Sequence, residues 1–243
     1  MRIIFFFLVL INSYLCYGQV KPQDKNSFDQ EFNFSSFYKL SDGHQLYFNY
    51  TYLSQAEQFQ QRLATLSYRY TLHRNWRVGI LFKRAYGLRH NEDWNKDSGP
   101  WAWKDTSDRS EHLTSVFLQH KQIAWGKGRG ILKNRLSLQR NWFNDQDTLF
   151  YKAGILNFEF QNWTTLHQFE LAIPLNYNRS FISELWHYSA FLYQYNTILQ
   201  FGPSFTIGKM FWNESIDFNS RNGNEFEQSI LIYRLGLSII LAL

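Results

Sequence analysis

Apolar and polar residues alternate along most of this chain with a period of two, in segments of about ten residues separated by short polar stretches. Leu46, Phe48, Tyr50 and Tyr52 share one face, and Gln45, Asn49 and Thr51 the other. Leu66, Tyr68, Tyr70 and Leu72 oppose Thr65, Ser67, Arg69 and Thr71 in the same way, and Trp76, Val78, Ile80 and Phe82 oppose Arg77, Gly79 and Lys83. Leu132, Leu136, Leu138 and Trp142 face away from Lys133, Arg135, Ser137, Gln139 and Asn141. Phe169, Leu171, Ile173, Leu175 and Tyr177 do so from Gln168, Glu170 and Asn176, and the odd positions from Leu231 to Leu243 from Gln228, Arg234 and Ser238. A helix would scatter each set around its circumference, whereas a strand keeps it on one side.

Less regular segments at 111–123, 148–161, 186–201 and 204–213 fill the gaps, giving about ten strands from His44 onward. Every second connection reads as tight, at 73–75, 126–130, 161–163 and Gly202-Pro203, while 89–110 and 213–225 are long. Short turns on one side and long loops on the other are the habit of an antiparallel up-and-down transmembrane β-barrel, in which an even strand count brings both chain ends to the periplasmic side. The pattern therefore predicts an all-β barrel over 44–243, with 19–43 as an N-terminal periplasmic segment or an extra strand. Twelve strands is the alternative count. A secreted β-sandwich also alternates. Aromatics near strand ends, charges such as Arg69, Lys83, Arg135 and Glu170 in mid-strand, and the apolar alternation of the last strand favour the barrel.

The first residues carry Arg2, an apolar run from Ile3 to Ile11 and then Cys16-Tyr17-Gly18, the layout of a signal peptide over 1–18. The run is shorter than the roughly 20 residues a spanning helix needs, and no later stretch reaches that length. Cys16 is the only cysteine, so a chain cleaved after Gly18 has no disulfide and no thiolate metal site. Aromatics make up 19% of the residues, more than a soluble core of this size consumes. The formal charge of +5 is scattered rather than clustered, which for an exported protein points to outer-membrane lipid and lipopolysaccharide rather than nucleic acid.

The segment from Tyr233 to Leu243 resembles the recognition strand of outer-membrane barrels, although it ends in Leu243 where those usually end in Phe. That resemblance implies the barrel assembly machinery as a partner. The stretch Asn134-Arg135-Leu136-Ser137-Leu138-Gln139-Arg140-Asn141-Trp142-Phe143, after Glu111-His112, resembles an uncharacterised family of outer-membrane barrels whose domain is of unknown function. It implies a fold and an outer-membrane location and carries no activity.

Phosphate-binding glycine loops and nucleophile elbows are missing. The seven histidines, His44, His73, His90, His112, His120, His167 and His187, are too scattered to predict a metal site, and no cofactor is expected. Trp186-His187-Tyr188-Ser189 puts an imidazole and a hydroxyl two residues apart on one strand face, where the ring could take the hydroxyl proton and make Ser189 a nucleophile. This run resembles the His-Tyr-Ser of outer-membrane lipid A deacylases and the His-x-Ser of outer-membrane phospholipase A, which implies an acyl hydrolase. Those families orient the ring with an acid or amide about a strand later, where this chain has Leu199 and Phe201. Glu184 and an inward Asn196 are poor substitutes, and no hydrolysis is expected. The inward charges Arg69, Arg77, Lys83, Lys121, Arg135, Glu159, Glu170 and Arg234 form either a mutually neutralising polar network in a narrow lumen, which is preferred, or the lining of a small-solute channel. Trp94, Trp101 and Trp103 in the 89–110 loop offer a binding or membrane-contact surface.

Overall fold

The computed structural model describes residues 26–55, 59–87, 110–125, 130–142, 145–160, 162–175, 182–213 and 227–243. Every element among them is a strand: β1 (Asn26–Ser41), β2 (His44–Gln55), β3 (Phe59–His73), β4 (Trp76–Gly87), β5 (Ser110–Trp125), β6 (Gly130–Asn141), β7 (Gln146–Phe160), β8 (Trp163–Pro174), β9 (Glu184–Gln194), β10 (Leu199–Asn213) and β11 (Glu227–Ala242). Each pairs antiparallel with its neighbour in sequence, and β1 pairs parallel with β11, so the sheet closes on itself as an eleven-stranded barrel. The alternating faces lie as the sequence predicts. Large apolar side chains such as Phe82, Val116 and Phe169 stand more than half exposed on the outer surface, while Thr51, Ser67, Ser115, Ser137 and Thr206 are buried inside.

The count falls between ten and twelve because β1 joins the sheet. Its register sets Phe28 against Tyr233 and Phe32 against Leu237, so β1 continues the outward apolar rows of β11. An odd count also separates the chain ends. β1 begins at the end of the barrel that carries the long connections, whereas β11 finishes at the tight-turn end, where the Leu243 amide donates to the Phe37 carbonyl at 2.7 Å. The expectation that both ends share one side is therefore corrected: eleven strands cross the barrel an odd number of times.

The tight turns follow local chemistry. Asp42-Gly43 joins β1 to β2, with Gly43 at φ +84°, a conformation that favours glycine. The expected turn at Gly202-Pro203 is not there, since both residues lie inside β10 and the reversal occurs at 195–198. Asn196 makes it. Its Oδ1 accepts from the backbone amides of Ile198 and Leu199 at 2.9 and 2.8 Å, a side-chain mimic of a backbone turn. Asn196 is thus exposed in the turn rather than inward in a strand. Gly202 escapes notice as strand because a Cβ there would meet the Phe191 carbonyl oxygen at 2.0 Å, and only glycine permits that approach of β10 to β9.

Candidate functional site

Inside the barrel runs a cavity of about 620 Å³, to whose lining every strand except β10 contributes. Its two ends differ. Towards the long connections Leu53, Ala85, Leu113, Ala172, Met210 and Ile232, contributed by six strands, are all buried, and of these only Leu53 reaches the cavity. Near the same end Trp186 lies over Gly208, where a Cβ would come within 2.1 Å of the indole ring. The indole nitrogen donates to Glu184 at 2.8 Å, and the Asn141 amide donates to Glu111 at 3.1 Å. Apolar packing and closed polar pairs fill this part of the lumen.

The tight-turn end is polar and basic. Arg69, Arg77, Lys133 and Arg135 line the cavity, and Lys121 lies within electrostatic reach of Lys133. Strand register makes this cluster tight. Lys121 stands directly opposite Lys133, and Arg135 directly opposite Lys152. Directly opposed side chains on one face have Cβ atoms about 5 Å apart, so the like charges they carry repel one another along the same stretch of wall. The guanidinium groups lie over aromatic rings: Arg69 over Tyr47 at 4.1 Å and Phe37 at 5.3 Å, and Arg135 over Phe117 at 5.2 Å. Phe117 in turn occupies the space over Gly79, where a Cβ would meet the ring at 2.3 Å.

Carboxylates sit elsewhere. Glu170 pairs with Lys152, and Asp29, 1% exposed, pairs with Arg234 at 3.3 Å. Arg234 also lies 4.4 Å from the Trp186 ring. Beside the cations, β1 and β2 present neutral groups bonded to one another: the Asn49 amide donates to Asn33 at 2.5 Å and to Ser35 at 3.0 Å, and Thr51 donates to Asn49 at 3.2 Å.

Of the expected inward charges, Arg69, Arg77, Lys83, Arg135, Glu170 and Arg234 line the cavity and Lys121 stands on the inward face of β5. The Glu159 side chain lies outside the described residues, as do Trp94, Trp101 and Trp103. Lys133, Lys152, Asp29 and Glu31 also face the lumen. Lys133 was legible from alternation on β6. Lys152 hides in β7, whose inward Phe150 and Leu156 blur the contrast of faces, and Asp29 and Glu31 sit in the segment left open as strand or periplasmic extension.

His187 and Ser189 lie on the outer face of β9. The Ser189 hydroxyl donates to the Phe205 carbonyl at 3.0 Å, and the His187 ring stacks on Phe169 at 4.4 Å and on His167 at 5.8 Å. Ile207 and Phe169 flank His187 on the two neighbouring strands, so neither direct neighbour is an acid or amide that could orient the ring. Among the described residues no group of His, Cys, Asp and Glu could hold a metal ion. No family model matches the chain, and comparison with curated proteins finds no match.

Proposed function

We propose that this chain is an exported, non-enzymatic protein of a Gram-negative envelope that spans the outer membrane as a barrel with a narrow polar lumen. The inversion of polarity carries this reading: a closed sheet with large apolar side chains outside and polar ones inside suits lipid around it and water within it. A soluble monomer rarely tolerates so large a contiguous apolar surface.

Two features of the outer surface add support. At the tight-turn end aromatic and imidazole rings gather, with His44 against Tyr70 at 4.8 Å, Trp76 against His120 at 4.5 Å and Trp163 stacked on Phe191 at 4.4 Å, as an interfacial belt requires. At the other end the outward residues Arg62, Arg84 and Lys209 are exposed cations, suited to the phosphates of lipopolysaccharide. Membrane fractionation and gel migration before and after boiling test the proposal. Recovery in detergent from the outer membrane, with a band that shifts on heating, is the expected result; a soluble periplasmic monomer would refute it.

A narrow small-solute channel is the second reading, favoured by the cavity itself. The buried apolar layer at the long-connection end argues against steady conduction. Planar-bilayer recordings separate the two, since a channel gives discrete anion-selective steps and a packed barrel gives none.

A further inference from the structure

We propose that the tight-turn half of the lumen is a binding site for a small multivalent oxoanion, of which inorganic phosphate is the simplest, held by Arg69, Arg77, Lys121, Lys133 and Arg135. The site rests on the barrel reading above, because its walls exist only when the sheet is closed.

Four successive strands, β3 to β6, place these five cations on one stretch of inner wall, and among the described residues no carboxylate pairs with any of them. The register brings Lys121 against Lys133 and sets Arg135 against Lys152, whose own partner is Glu170. A protein can neutralise such a wall by facing it with acids. Here the neighbouring strands β1 and β2 carry Asn33, Ser35, Tyr47 and Asn49, which bond to one another, and the acids that share the cavity lie by other cations, Glu31 by Arg234 and Glu170 by Lys152. Buried positive charge without a counter-ion is costly enough that a folded protein recruits one.

Contacts with Tyr47 and Phe37 hold the Arg69 guanidinium group against the inner wall, and contact with Phe117 holds that of Arg135. The Nε atoms of both are buried and have no hydrogen-bond partner in the protein. Planar donors held in place match the paired oxygens of phosphate, sulfate or a carboxylate, whereas chloride offers no such fork, and the lysines add unspecific charge. The cavity, at about 620 Å³, has room for the anion with part of its hydration shell. It reaches the tight-turn end, where Gln45 and Arg77 border it, and stops short of most of the apolar layer at the other end. The occupant is therefore a solute entering from the tight-turn side rather than a lipid headgroup outside the wall.

The test uses the full mature chain refolded in lipopolysaccharide-free detergent, with unfolding followed by tryptophan fluorescence and by the heat-shifted gel band. Potassium phosphate should raise the unfolding midpoint in a saturable way over potassium chloride of equal ionic strength. Arg135→Gln and Lys133→Gln should each still give the heat-shifted band, be no less stable in chloride, and lose about tenfold or more in apparent phosphate affinity. Lys209→Gln, which removes a cation from the outer surface, should respond like the parent. Equal midpoints in phosphate and chloride, or an undiminished response in both lumen variants, would overturn the site while leaving the barrel intact. Stabilisation by lipid A micelles but not by inorganic phosphate would assign the chemistry to the outer rim and also overturn it. A parent chain with no heat-shifted band would sink the barrel reading, and the site with it.

Discussion

The two ends of the lumen solve the same problem in opposite ways. At the long-connection end the inner wall is packed shut: Leu53, Ala85, Leu113, Ala172, Met210 and Ile232 are buried, and the charged groups nearby are matched, as with Asp29 and Arg234. At the tight-turn end the wall keeps its space and its charge. Backbone closure is identical at both ends, so the barrel alone dictates neither arrangement. The contrast teaches that one end serves mainly cohesion, while the other gives up cohesion for a positive potential that a structural plug has no use for.

Removing one charge from each end should produce opposite results, and this is the largest expected effect. Asp29→Asn leaves Arg234 in a buried setting without its carboxylate, which should cost about 3 to 5 kcal/mol in denaturant unfolding of the refolded barrel. Arg135→Gln relieves repulsion from Lys152 and should leave stability in chloride unchanged or higher. Similar losses in both variants would erase the distinction between the ends.

Next in size is a pair on β8, at the border between the two regions. Leu171→Arg turns a charge outward and should cost roughly 2 to 4 kcal/mol in a bilayer, whereas Gln168→Arg only adds a cation to a lumen that already holds several. Folding yield into lipid vesicles, read by the heat-shifted band, measures both, and equal tolerance would show the faces to be misassigned. Packing comes third. Gly208→Leu drives a side chain into the Trp186 ring and should cost about 1 to 3 kcal/mol, while Gly154→Ala at the roomy end meets only ordinary contacts at 3.7 Å and should be nearly neutral. Thermal midpoints of the two variants decide it.

The smallest effect lies outside the lumen. Ser189→Ala removes a hydroxyl bonded to a strand carbonyl and should shift stability by about 0.5 kcal/mol or less. Parent and variant should both leave phospholipid and lipid A intact. Fatty-acid release lost in both Ser189→Ala and His187→Ala would instead restore the hydrolase reading.

What could be read from the sequence follows from how local each determinant is. The faces of β2, β3, β4, β6 and β11 were legible residue by residue, because a period of two needs only the strand itself. β1 resisted because Asp29, Gln30 and Glu31 form a polar run within it, so its role shows only once β11 is beside it. The turn at Asn196 was missed since Gly202-Pro203 looks like the stronger turn pair; the Asn side chain decided the matter, and Pro203 sits in the strand with its side chain exposed. For the basic cluster, alternation supplied the members but not their neighbours. That Lys121 meets Lys133, and Arg135 meets Lys152, depends on register across strands, which no single segment encodes.

The parallel pairing of β1 with β11 has a consequence for the life of the barrel. β2 and β11 run in opposite directions, so a sheet from which β1 has departed presents two edges of the polarity that antiparallel pairing needs. Ten strands could then close on themselves, with β1 as an insert along the seam. Parallel ladders are slightly weaker per residue, and this one joins positions as far apart in sequence as Asn26 and Leu231, so closing it carries the greatest loop-closure entropy cost among the strand pairs. The seam is therefore where the circumference of the barrel is negotiable: a place for a late assembly step, for sideways opening of the wall, and for a change of bore that leaves the other ten strands paired as they are.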